Sequence, residues 1–123
     1  MISFAGFEPT DGTPIYLQII THIKRGVIAG TVTDGDELPS RRVLSALLGV
    51  NPNTVQKAYH LLEEEGLIRS QSGAKSCMVV DEATRERVRT ELLEHDAVNI
   101  VSAMRQMGLT RQEAVALIEK YWE

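Results

Sequence analysis

Cysteine is almost absent. Cys77 is the only one among 123 residues, so no intrachain disulfide can form, and the expected compartment is the cytoplasm. A single cysteine beside apolar neighbours reads as a small core residue without a redox role. Long apolar runs are also missing. No stretch approaches the roughly 18 residues that a membrane span needs. The opening "MISFAGFEPTDG" has no basic region followed by a long apolar stretch, so it does not read as a secretory signal. His22, His60 and His95 are far apart and fit no metal-ligand spacing. There is no Gly-rich phosphate loop and no nucleophile motif. No catalytic residue, no metal site and no cofactor is therefore expected. Internal repeats and low-complexity tracts are absent too.

What is present is enough for one small folded body with an appendage. The hydrophobic fraction of 43% can supply a core. The net charge of -4 argues at first against a polyanionic partner, but the charge is unevenly spread. Residues 1–39 carry a net of -3, residues 40–80 a net of +2 and residues 81–123 a net of -3. Screening ends interactions within about 10 Å at ordinary salt, so the local sign matters more than the total.

The first dozen residues show no period. Ile2, Phe4 and Phe7 either pack somewhere or belong to a loose arm over residues 1–13. Thr13-Pro14 reads as a helix start with Pro at the first helical position. Ile15, Ile19, Ile20, Ile23, Val27 and Ile28 follow at helical spacing, and Gly30 ends the run. Asp34-Gly35 signals a turn and Pro39 a break. Ser40 then caps a short helix with an apolar stripe of Val43, Leu44, Leu47 and Leu48, stopped by Gly49. Asn51 caps the next helix, with Pro52 at its first position. Val55, Ala58, Tyr59 and Leu62 form one face of it, and Gly66 is the stop. "LIRS" and "SCMVV" read as a small hairpin turning through "QSGAK". From Glu82 the period is helical again, with Leu93, Ala97, Ile100, Met104 and Met107 on one stripe. Gly108 breaks it. "TRQE", Thr110 to Glu113, is a capping box that opens a last helix carrying Val115, Leu117, Ile118, Tyr121 and Trp122. The expected fold is mainly α with a small β-hairpin.

Two short helices joined by "GVN" within residues 40–65 have the layout of a helix-turn-helix. Gly49 permits the tight turn, and Val50 is placed to bury between the helices. With Val55, Ala58, Tyr59 and Leu62 inward, Asn53, Thr54, Gln56, Lys57 and His60 face outward. Asn and Gln can pair with adenine, Thr can touch a base or a thymine methyl, and Lys can reach guanine or phosphate. Arg41 and Arg42 open the preceding helix and can hold the backbone or a base edge. The hairpin would form a wing, with Ser72, Gly73 and Lys75 at its tip. The plain alternative is a solvated face, since any amphipathic helix is polar outside. Winged helices also serve as protein–protein adaptors. The ordered set of helix-turn-helix plus hairpin favours DNA reading.

"ELPSRRVLSALLGVNPNTVQKAYHLLEEEGLI" resembles the DNA-binding half of GntR-family transcriptional regulators, through "LPS" with Arg42, "LGV", "NTV", "KAY" and "LEEEGLI". The likeness runs from about Pro14 to Val80. "NPNTVQKAY" and the short tail resemble the YtrA-like subfamily. The resemblance implies a winged helix-turn-helix domain over residues 1–80 and a two-helix dimerisation segment over 81–123. It also implies a homodimer on an inverted-repeat, palindromic operator in double-stranded DNA, and the chain is expected to act as a repressor. Family DNA contacts carry over to Arg42, to Asn51, Pro52, Asn53, Thr54 and Gln56, and to Gly73. Ser40, Arg41, Lys57 and Lys75 join them on the reading of the residues themselves. The chain departs from the family at Val43, where an acid is common, and in the wing, where Gly73-Ala74-Lys75-Ser76-Cys77 lacks the usual second Gly and aromatic. Larger members bind an effector in a long C-terminal domain. Two helices alone cannot enclose a pocket of about 300 Å³, but their apolar stripes need covering, and a two-fold copy matches a palindrome. The alternative is that they pack back on the first helix.

Overall fold

The computed structural model describes residues 1–71 and 75–123. In chain order the elements are α1 (Ile15–Ala29), β1 (Glu37–Leu38), α2 (Arg41–Leu48), α3 (Pro52–Glu64), β2 (Ile68–Ser70), β3 (Ser76–Met78), α4 (Glu82–Gln106) and α5 (Arg111–Tyr121). They fall into two compact units, Met1–Arg89 and Thr90–Glu123.

In the first unit the apolar face of α3 is the centre. Val55, Ala58 and Leu62 are fully buried and Tyr59 is 1% exposed. They pack with Ile19, Ile23 and Val27 of α1 and Leu44 of α2. The hairpin of β2 and β3 forms as expected, Ile68 opposite Met78 and Ser70 opposite Ser76. The structure adds β1 on the other edge of β3, giving an antiparallel sheet in the order β1-β3-β2. Two residues are too few to show a period, so "EL" carried no strand signal. Cys77 is buried in β3, and its Sγ accepts from Gln71 Nε2 at 3.2 Å.

Most helix ends are where the capping residues put them. Ser40 Oγ accepts from Val43 N at 3.1 Å, and Asn51 Oδ1 accepts from Asn53 N at 2.8 Å. Gly30 and Gly49 close α1 and α2 in the left-handed region, with φ of 85° and 68°. Pro14 is the residue before α1 rather than its first member, and its carbonyl accepts from Leu17 N. The stripe expected on α2 is corrected. Leu44 is buried, but Val43 is 55% and Leu47 67% exposed. A two-turn helix packing against one neighbour buries a narrow line, here Leu44, Ser45 and half of Leu48. Val43 and Leu47 share the adjacent ridge, about 100° around the axis.

The opening segment belongs to the core. Ile2 and Phe4 are each 6% exposed, and Ile2 N donates to Glu37 O at 3.0 Å. Phe4 stacks on His22, with ring centres 4.6 Å apart, and Phe7 meets both rings edge-on. Gln18 ties down the next residues: its Oε1 accepts from Thr10 N, and its Nε2 donates to Thr10 O and Thr13 O. None of this has a period, because each contact reaches a different element.

Gly26 sits inside α1, where glycine costs helix stability. A Cβ there would lie 2.5 Å from Val32 Cγ2, and Val32 is itself in the core. Gly26→Ala is therefore expected to destabilise the first unit by about 1–3 kcal/mol through overpacking, despite the gain in helix propensity. Thermal melts check this, and a melting temperature at or above wild type would contradict it.

The start of α4 is secured to the first unit. Asp81 Oδ1 accepts from Thr84 N at 2.7 Å, an interaction that holds the carboxyl below its ordinary range. Val88 is fully buried. Arg85 Nη2 donates to Ile28 O and Arg87 Nη2 to Glu65 O, so each arginine meets a carbonyl at the C-terminal end of a helix.

In the second unit the capping box forms in full: Thr110 N donates to Glu113 Oε1, and Glu113 N donates to Thr110 Oγ1. No residue of α5 is buried. Leu93, Ile100, Val101, Val115 and Ile118 are all between 43% and 54% exposed, and Trp122 is 80% exposed. The C-terminal half of α4 and α5 line an apolar groove of about 500 Å³, walled by Ile100, Val101, Met104, Leu109, Val115 and Ile118.

Candidate nucleic-acid interface

The turn between α2 and α3 is built by Gly49, whose φ of 68° few other residues adopt without strain. Val50 N donates back to Ser45 O, and the Val50 side chain is half-buried against the core. This fixes the entry to α3. Asn51 spends its side-chain oxygen on the cap, so its carboxamide is committed to the helix start, and Pro52 follows at the first position.

Beyond the cap, Asn53, Gln56, Lys57 and His60 lie on one exposed face of α3, and Thr54 is half-buried beside them. Among the described residues, the side chains of Arg42, Asn53 and Gln56 make no hydrogen bond or ion pair. Their donors and acceptors are open to solvent, as a base-reading surface requires. The run Glu63, Glu64 and Glu65, by contrast, is engaged at the other end of the helix. Glu63 accepts from Ser70 Oγ, Glu64 pairs with His60 at 3.1 Å, and Glu65 pairs with Lys24 of α1 at 3.0 Å. The acids are held away from the helix start.

Two of the expected basic residues rest on aromatic rings. The Lys57 ammonium lies over the Tyr16 ring, 4.1 Å from its centre. The Arg41 guanidinium lies over Tyr59 at 5.4 Å. Both distances are within the reach of a cation–π contact. Tyr16 and Tyr59 were not legible as partners, because they are 41 and 18 positions away in sequence. Lys57 thus leans toward α1, which suits a phosphate better than a base edge at the groove centre. Lys75 Nζ is 3.8 Å from Glu37 Oε1; the Lys75 side chain is exposed and Glu37 is half-buried. Ser72 and Gly73, expected at the wing tip, lie outside the described residues. Ser40 is used as the cap of α2.

No group of three or more His, Cys, Asp or Glu among the described residues can hold a metal ion. No helix among them is long and apolar enough to cross a membrane.

Residues 15–79 match the family model described as bacterial regulatory proteins, gntR family. The HTH-type transcriptional repressor YtrA of Bacillus subtilis (strain 168) is 35% identical over 116 residues, which is 94% of this chain and 85% of that protein. A GntR family transcriptional regulator from Listeria monocytogenes superposes with a TM-score of 0.79 at 32% identity, covering 91% of this chain and 98% of that one. YtrA from Sulfolobus acidocaldarius, a GntR-family transcription factor, superposes with a TM-score of 0.58 at 35% identity, over 77% and 99% of the two chains.

Proposed function

This chain belongs to the gntR family of bacterial regulatory proteins and is a DNA-binding transcriptional regulator of the helix-turn-helix class, and we propose that it works as a homodimeric repressor on an inverted-repeat operator. Residues 1–80 serve as the DNA-binding domain and residues 81–123 as the dimerisation segment, acting in the cytoplasm. The observation that carries this reading is the pair of exposed, unpaired amides Asn53 and Gln56 at the start of α3, which follows the Gly49 turn, with the acids tied off at the far end.

In this mechanism α3 enters the major groove with Asn53 and Gln56 toward the base edges and Thr54 beside them. Arg42 adds a guanidinium from α2. Lys57 and Lys75 meet phosphates, with Gly73 at the wing tip. Asn51 and Pro52 set the height of the helix start, and Ser40 that of α2. The apolar stripes of α4 and α5 are covered by a second copy, which places two reading helices about a two-fold axis. A palindrome has the same symmetry.

Base reading and backbone holding separate by experiment. Asn53→Ala or Gln56→Ala is expected to cost about 1–3 kcal/mol on the bound sequence and much less on random duplex, relaxing base choice. Fluorescence anisotropy with a duplex from the chain's own promoter region, and with a random duplex of equal length, measures both. Equal losses on the two duplexes would refute base reading by these residues. A protein that shifts neither duplex but captures a protein partner would instead support the adaptor reading.

A further inference from the structure

We infer that Arg41 is a positioning residue that holds a single DNA phosphate at the lip of the groove, distinct from the groove-reading role given to Arg42; this rests on the DNA-binding reading above. The two arginines are adjacent in sequence but differently placed. Arg42 is exposed, whereas Arg41 is half-buried with its guanidinium over the Tyr59 ring. Tyr59 is itself immobilised: it is 1% exposed, and its hydroxyl donates to Pro39 O at 2.7 Å. The ring therefore acts as a fixed platform for the cation.

Two consequences follow. First, the Arg41 stem is folded down onto the protein, so its charge stays near the protein surface. The major groove is about 8.5 Å deep. A base edge demands an extended side chain, while the nearest DNA atoms to a surface-held cation are phosphate oxygens. Second, Arg41 Nε is buried without a hydrogen-bond acceptor among the described residues, and no carboxylate pairs with the guanidinium. Burying an unpaired donor opposes folding, and an apolar side chain would pack on Tyr59 without that cost. A positive charge kept there at a cost to the fold is explained by a partner outside the chain. Holding the guanidinium before DNA arrives also removes part of the ordering entropy of binding.

The test uses the full chain and two duplexes, one from its own promoter region and one random, titrated from low to high salt. Each phosphate contact contributes about 0.9 to the slope of log affinity against log salt. Arg41→Gln is expected to lower that slope by about one per protomer on both duplexes and to weaken both by the same factor, roughly ten-fold. Arg41→Lys should recover the slope but only part of the affinity, because the charge returns without the planar guanidinium that can donate two parallel hydrogen bonds to one phosphate. Tyr59→Phe keeps the ring and should leave the slope unchanged. Arg42→Gln should lose more on the promoter duplex than on the random one. An unchanged slope in Arg41→Gln, or a loss confined to the promoter duplex, would overturn the assignment. If wild type binds neither duplex, the DNA-binding reading itself falls, and that result is distinct from a wild type that binds with an indifferent Arg41.

Discussion

The double variant Ile100→Glu/Ile118→Glu is expected to be monomeric and to bind its operator about 100- to 10,000-fold more weakly than wild type. The two residues are 49% and 43% exposed and wall the apolar groove formed by α4 and α5. Covering that groove with a second copy would leave each glutamate in an apolar interface, where an unpaired charge is strongly disfavoured. Once dimerisation is lost, the second half-site no longer binds as an intramolecular event. The advantage of linking two sites, about 10²–10⁴, is forfeited. Affinity for a single half-site should stay close to that of one wild-type domain, because neither residue belongs to Met1–Arg89. Sedimentation equilibrium and operator titration together decide it. A variant that stays dimeric, or a monomer with undiminished operator affinity, would contradict the dimer assignment.

The second large effect is at Tyr59. Tyr59→Ala is expected to destabilise the first unit by about 3–5 kcal/mol, by analogy with other large aromatic truncations. That is much of the roughly 5–10 kcal/mol available to a domain of this size. The ring joins α3 to the start of α2 and supports Arg41, and its hydroxyl satisfies the buried Pro39 carbonyl. Tyr59→Phe keeps the ring but orphans that carbonyl, for a smaller loss of about 1–3 kcal/mol. The two variants also differ from wild type in alkali. Burial pushes the Tyr59 phenol well above its ordinary value, and the Arg41 charge draws back a smaller part. A group raised in this way contributes stability that is fully present below the unfolded value, about 10 for tyrosine. That contribution is lost as pH rises from there through the folded value. Wild type should therefore weaken steeply above about pH 10, and Tyr59→Phe should show a shallower decline. Chemical denaturation at several pH values checks both statements. A Tyr59→Ala protein within about 1 kcal/mol of wild type would contradict the central place given to this ring.

The parts of the fold that were legible share one property: the determinant is local. Ser40, Asn51 and Thr110 cap the helices they precede, and Gly49 makes its turn, because each acts on backbone within a few residues. The inward face of α3 was legible because four residues at helical spacing all meet one core. The stripe on α2 misled because four apolar residues in eight suggest a wide buried face, while a single neighbour covers only a narrow one. Packing of Ile2 and Phe4, the two-residue β1 and the role of Gly26 depend on distant elements and leave no periodic trace. The interface divides in the same way. The exposed start of α3 follows from its period, whereas the ring supports beneath Arg41 and Lys57 exist only once α1, α2 and α3 are packed.

Operator reading is tested most directly by selection from a randomised duplex pool with the 123-residue chain, followed by sequencing of the bound fraction. One inverted repeat is expected to be enriched, with half-site centres about 10–10.5 bp or a multiple apart. Asn53→Ala or Gln56→Ala should blur symmetrically related positions in both halves. A bound fraction with no enriched sequence, or an enriched motif without two-fold symmetry that both variants leave intact, would contradict it.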